Sequence, residues 1–286
     1  MAYVDTLPKQ RGFGETTRPD AWWLQPLAVF LGFSAFILYS TWAAFQGVSD
    51  IHLNTCSYWY GGLHGENNGA NYLSPFYSPE FWGTSPHAIF GAALPAWWPA
   101  WAPFSAAFLI LWVPAGFRFT CYYYRGAYYK AFWADPINCA VGEARSTFLG
   151  ERYFPLIIQN VHRYFLYLAI LFIFLLSHDA WKAMWFTDLT GAKHFGIAAG
   201  TVVLTLNAVL LAMYTFGCHS LRHLIGGFLD SKSKAPTCGK AYNCVSCLNR
   251  RHMMWAWISL FWVGFTDVYI RLCATGHFQD ILFFKL

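Results

Sequence analysis

"PLIIQNVHRYFLYLAILFIFLLS", residues 155–177, decides the fold class. Arg163 is its only charged side chain and His162 its only histidine. A helix of this length matches the bilayer hydrocarbon core of about 30 Å, which takes roughly 20 apolar residues to cross. Four further segments read the same way, at about 22–46, 101–119, 195–217 and 253–275, the second interrupted by Pro103 and Pro114. Composition agrees, with 57% hydrophobic and only 12% charged residues, where a soluble domain carries about a quarter charged. The expectation is an all-α integral membrane bundle of five transmembrane helices, forming one transmembrane domain over residues 1–286. The polar opening "MAYVDTLPKQRGFGETTRPD" has neither the apolar core nor the small-residue cleavage site of a signal peptide, so the first helix is expected to be retained.

Orientation follows from Lys and Arg. If the spans alternate, the amino terminus and the connections 118–154 and 218–252 share one side and hold 14 of the 19 basic residues. That side is expected to be cytoplasmic, with the carboxyl terminus outside. The net charge of +5 is then a topology signal and calls for no nucleic acid. Catalysis from this chain alone is not expected: it has no phosphate-binding glycine loop, no nucleophile elbow and no carboxylate pair at a catalytic spacing.

Thiols and imidazoles gather on the same side. If the fourth helix continues past Gly217, His219 and His223 are four apart and present both rings on one face. Cys121 and Cys139 lie in a connection on that side. Two thiols and two imidazoles are the donors of a Rieske-type 2Fe-2S cluster. Haem b between His162 and His252 competes with that reading. So does a tetrahedral zinc site from Cys238, Cys244, Cys247 and His252 in "CGKAYNCVSCLNRRH", residues 238–252. Cysteines that merely pack and histidines that sit at helix ends are the fourth reading. Asp267 and Arg271, four apart on the last span, are expected to pair. The run "CYYYRGAYYKAFW", residues 121–133, reads as an amphipathic interfacial segment.

The set "FRFTCYYYRGAYYKAFW" (117–133), "NCAVGE" (138–143), "FPLIIQNVHRYFLY" (154–167), "FGCHSLRHLIGG" (216–227) and "RRHMMWAWISLFWVGFTDVY" (250–269) resembles the membrane-anchor subunit of succinate dehydrogenases best known from actinobacteria. The likeness runs over roughly residues 10 to 275. It implies five transmembrane helices, docking of an iron-sulfur subunit and a flavoprotein subunit on the cytoplasmic face, and reduction of menaquinone. It also implies a Rieske-type 2Fe-2S cluster in place of haem, for which Cys121, Cys139, His219 and His223 are the expected ligand set, with Cys218, His162 and His252 in reserve. Related bundles are often trimeric. Tyr122, Trp133, Ser146, His162 and Arg163 are the quinone-binding candidates. Two readings of other classes stand beside this one: a di-haem cytochrome b anchor, and a transporter or scaffold with no redox centre.

Overall fold

The computed structural model describes residues 12–61, 69–92, 94–135, 137–144, 152–154, 156–227 and 235–286. Four helical stretches in it are long and apolar enough to cross a membrane. They are α1 (Leu24–Leu53), a stretch Leu156–Lys182 in which a 3₁₀ segment leads into α5 (His162–Lys182), α6 (Ala199–Phe216) and α9 (His252–Ala274). Five were expected. The segment 101–119 instead forms two short helices, α2 (Ala106–Ile110) and α3 (Trp112–Phe119), with Leu111 between them. Pro103 bars helix at the residue before it, and α3's eight residues rise only about 12 Å, less than half a bilayer core. The connections are helical as well: α4 (Tyr122–Phe132), α7 (His219–Gly226) and α8 (Pro236–Asn249).

The all-α expectation needs a second correction. Residues 193–198, four of which had been read into the fourth span, form a strand. β1 (Trp59–Gly61) pairs antiparallel with β2 (Asn71–Leu73), and β3 (Trp185–Thr187), β4 (Lys193–Ala198) and β5 (Leu282–Lys285) make an antiparallel sheet in that order. β4 is apolar enough to extend a hydropathy window, but it is a strand because the chain's last residues supply its partner.

The chain divides into two compact units, one of Met1–Ile37 with Arg118–Val161 and one of Leu38–Phe117 with His162–Leu286. In the second unit α5, α6 and α9 alternate in direction. One end of this bundle carries the sheets; the other gathers the starts of α5 and α9 and the close of α6. The sheet end is packed by Tyr60, Tyr72, Phe186, Leu204 and Ile270. Gly200 opens α6 there because a side chain would collide with the Tyr72 ring, 2.3 Å from where a Cβ would stand. Arg271 and Asp267 do pair, with Arg271 Nε donating to Asp267 Oδ2 at 2.8 Å. They are also the hub of a buried network: Arg271 donates to Ser57 Oγ at 2.7 Å and to the Ala43 carbonyl at 3.1 Å, while Tyr39 and Ser74 donate to Asp267.

In the first unit, α4 buries Tyr124 against Phe33, and Phe132 against Phe30. Burial pushes the Tyr124 phenol up to about 12, although Arg118 Nη1 donates to its oxygen at 2.6 Å. The segment around Cys139 is tied to the amino-terminal stretch. Arg18 Nη1 donates to the Cys139 carbonyl at 3.0 Å, and Asn138 Nδ2 to the Trp22 carbonyl at 3.0 Å.

Candidate functional site

The chemistry of the second unit concentrates at its end away from the sheets. α6 stops at Phe216 with Gly217 as its cap, and α7 restarts at His219 with Cys218 in extended conformation before it. That two-residue break turns Cys218 inward, where it is 2% exposed. Its Sγ lies 3.0 Å from His162 Nε2, at the first residue of α5. His252, the first residue of α9, is also 2% exposed. Gly217 lets it approach, since a Cβ there would stand 3.2 Å from His252 Nδ1. Asn249 Nδ2 ties α8 to the same corner by donating to the Gly217 carbonyl at 2.8 Å.

Aromatic rings fill the space between the two imidazoles. Phe117 stacks on His162 with centroids 4.6 Å apart and planes 9° from parallel, and Tyr214 stacks on His252 at 4.9 Å and 19°. Phe117 and Tyr214 meet edge to face at 5.4 Å. Two imidazoles and a thiol, with His162 the most exposed at 8%, therefore share a dry aromatic-walled corner. Such burial strengthens any electrostatic or ligand interaction made inside it.

The expected ligand set is distributed differently. Cys121 and Cys139 belong to the first unit, Cys121 buried and Cys139 exposed. His219 and His223 belong to the second, exposed on α7, with their Nε2 atoms 2.9 Å apart. Partial burial, then His223 and Arg222, hold the His219 imidazole below the ordinary histidine value. Of the reserve donors, Cys218 and His162 are in contact and His252 joins them through Tyr214 and Phe117. Cys238, Cys244 and Cys247 are exposed on α8, whereas the His252 ring is buried against Tyr214, so the zinc reading loses its imidazole. Among the described residues, no group of three or more His, Cys, Asp or Glu is arranged to hold a metal ion.

The quinone candidates divide too. Tyr122 is exposed under the Arg125 guanidinium, 4.4 Å from its ring centre, and Trp133 packs on Tyr128 and Tyr129. Arg163 is exposed beside the buried His162, and Ser146 lies outside the described residues. Three participants escaped the sequence reading. Phe117 and Tyr214 wall the corner. Trp255, one turn into α9, has an indole N–H that is buried with no hydrogen-bond partner among the described residues. A polar tryptophan edge close after a buried histidine, in "HMMW" (252–255), is the signal that was available.

Comparison with known proteins places this arrangement. No curated protein sequence matches the chain. A solved structure, the Mycobacterium smegmatis Sdh1 complex in the apo form, contains a chain similar to this one, with 40% sequence identity, a TM-score of 0.79, and 97% of each chain covered. The family model described as actinobacterial succinate dehydrogenase subunit SdhC matches residues 24–276. That match spans all four apolar helices and the buried corner; the chain belongs to the actinobacterial SdhC family and is a multi-pass, membrane-anchoring subunit of succinate dehydrogenase in the cytoplasmic membrane.

Proposed function

We propose that this anchor docks the iron-sulfur and flavoprotein subunits on its cytoplasmic side and passes electrons from the iron-sulfur subunit to menaquinone at the end of the bundle that buries His162, Cys218 and His252. The carrying observation is that corner: two imidazoles and a thiol kept from water at the starts of α5, α7 and α9. The basic-residue bias supports a cytoplasmic position for it, as do Arg222, Lys240, Arg250 and Arg251 on and beside α7 and α8.

The donors suit a Rieske-type 2Fe-2S group in kind. Such a group takes two thiolates and two imidazoles, and this unit offers His162, His252 and Cys218, one thiol short of the set. When bound, the group supplies one-electron transfer at a potential raised above that of an all-thiolate cluster. The chain's own part is to hold the imidazoles at fixed depth, with Phe117 and Tyr214 excluding water. Cys121→Ser and Cys139→Ser, in the first unit, test whether either thiol also takes part. A dithionite-reduced complex is expected to show the low average g-value of a His-ligated 2Fe-2S centre, and His252→Ala to abolish it. Sharp reduced haem bands without that signal would replace the cluster by the haem reading, and an anchor that carries no iron once separated from its partner subunits would retire both.

Menaquinone needs an apolar slot with a few polar groups at its carbonyls. In this reading the buried Trp255 N–H donates to one carbonyl. Trp255→Phe keeps the ring and removes the donor, so the KM for a menaquinone analogue should rise roughly 3- to 10-fold, the worth of one neutral hydrogen bond, with kcat little changed. An unchanged KM would exclude Trp255 from the slot.

A further inference from the structure

His219 and His223 stand on successive turns of α7, both exposed. Their ring centroids are 4.5 Å apart, their planes cross at 82°, and one Nε2 is hydrogen-bonded to the other at 2.9 Å, a bond that a shared metal ion would replace. From this pair we infer a two-histidine chelating site on the surface of α7 for a late first-row divalent ion such as copper(II), nickel(II) or zinc(II).

The distance carries the inference. Metal–imidazole bonds of about 2.0–2.1 Å, meeting at angles of about 90–109°, hold their two nitrogens about 2.8–3.4 Å apart. The observed 2.9 Å lies in that window, toward its right-angled end, which suits tetragonal copper(II) or nickel(II). The four-residue spacing on one helix fixes the pair without help from the rest of the fold. Arg222 lies between the two in sequence and would oppose a cation, but its side chain is turned onto α8. Its Nε donates to Tyr242 Oη at 2.9 Å, and its guanidinium carbon lies 4.9 Å over the Tyr242 ring. Among the described residues no third His, Cys, Asp or Glu completes a set with the pair. Water therefore fills the remaining positions, as in a surface chelate and unlike a closed structural site.

The test uses the purified whole complex carrying Cys238→Ser, Cys244→Ser and Cys247→Ser, so that the exposed α8 thiols neither bind nor reduce copper. Copper(II) added in stepwise equivalents should give an electron paramagnetic resonance spectrum of a tetragonal ion split by two nitrogens. That spectrum should disappear in His219→Ala and in His223→Ala made separately in the same background. Zinc(II) calorimetry on the complex without the serine substitutions provides a second measurement. Its binding heat should survive the three serine substitutions and vanish with either histidine change. A two-nitrogen copper spectrum persisting in both alanine variants, or a zinc heat lost with the thiols and kept without the histidines, would overturn the proposal.

Discussion

Alanine at His162 or at His252 should lower succinate-driven menaquinone reduction by the complex at least about 100-fold, while succinate oxidation measured with a soluble dye acceptor continues at its parental rate. The magnitude follows from where the two rings sit. In the proposed reading both rings are donors to the cluster; removing a group one shell outside a metal costs about 10–100-fold, so removing a donor should cost no less. Here no exposed residue can take over, because both rings are enclosed by Phe117 and Tyr214. The dye assay shows that the soluble subunits are intact, and their co-purification with the variant anchor from solubilised membranes separates this loss from failed assembly. Alanine at the exposed His219 or His223 should alter menaquinone reduction by less than about twofold, as surface substitutions usually do. The opposite pattern, with the α7 pair essential and the buried pair dispensable, would return the redox site to the pair first suggested by sequence spacing.

Why spacing favoured the exposed pair is visible in two residues. Reading His219 and His223 as one face of a continued fourth helix assumed that the helix ran through Gly217. It ends at Phe216, and the extended Cys218 resets the helical phase, so the thiol goes in and the two histidines go out. A glycine after an apolar run is a recognisable stop, but which neighbour it turns inward depends on what waits across the bundle, here His162 and His252. The apolar helices were legible because crossing a bilayer demands length and hydropathy alone. The exception, residues 101–119, contains the two prolines that break it. The strands were not legible: β4 and β5 lie far apart in sequence and neither alternates clearly. Nor were residues 49–61 and 69–83 recognisable as structural, yet they contribute Tyr58, Tyr72 and Tyr77, among the most deeply buried side chains of the described residues.

The chain around Ser57 is held to the bundle by the Arg271 network, where the largest stability effect should fall. Arg271→Met should destabilise the anchor by about 3–5 kcal/mol, the usual cost of removing one partner of a buried ion pair. Asp267 is wholly inaccessible and Arg271 6% exposed. Without the guanidinium, the Asp267 carboxylate keeps only the hydroxyls of Tyr39 and Ser74. Ser57 Oγ, which already donates to Asp50 Oδ2 at 2.8 Å, loses the donor on its other side, and the Ala43 carbonyl loses one as well. The guanidinium also lies over the rings of Trp42 and Tyr77, at 5.5 and 5.6 Å, so its loss opens a packing gap among them. Thermal unfolding of the detergent-solubilised complex, followed by tryptophan fluorescence, should show the anchor's transition about 10 °C lower. The double variant Asp267→Leu with Arg271→Met removes both charges from the apolar setting and should recover more than half of the loss, because replacing a buried pair by well-packed apolar groups is often neutral. A single variant that unfolds within about 2 °C of the parent would mean that the network is incidental to the stability of the anchor. A double variant no better than the single would mean that the hydrogen bonds to Ser57 and Ala43, rather than the charge balance with Asp267, hold the chain around Ser57 to the bundle.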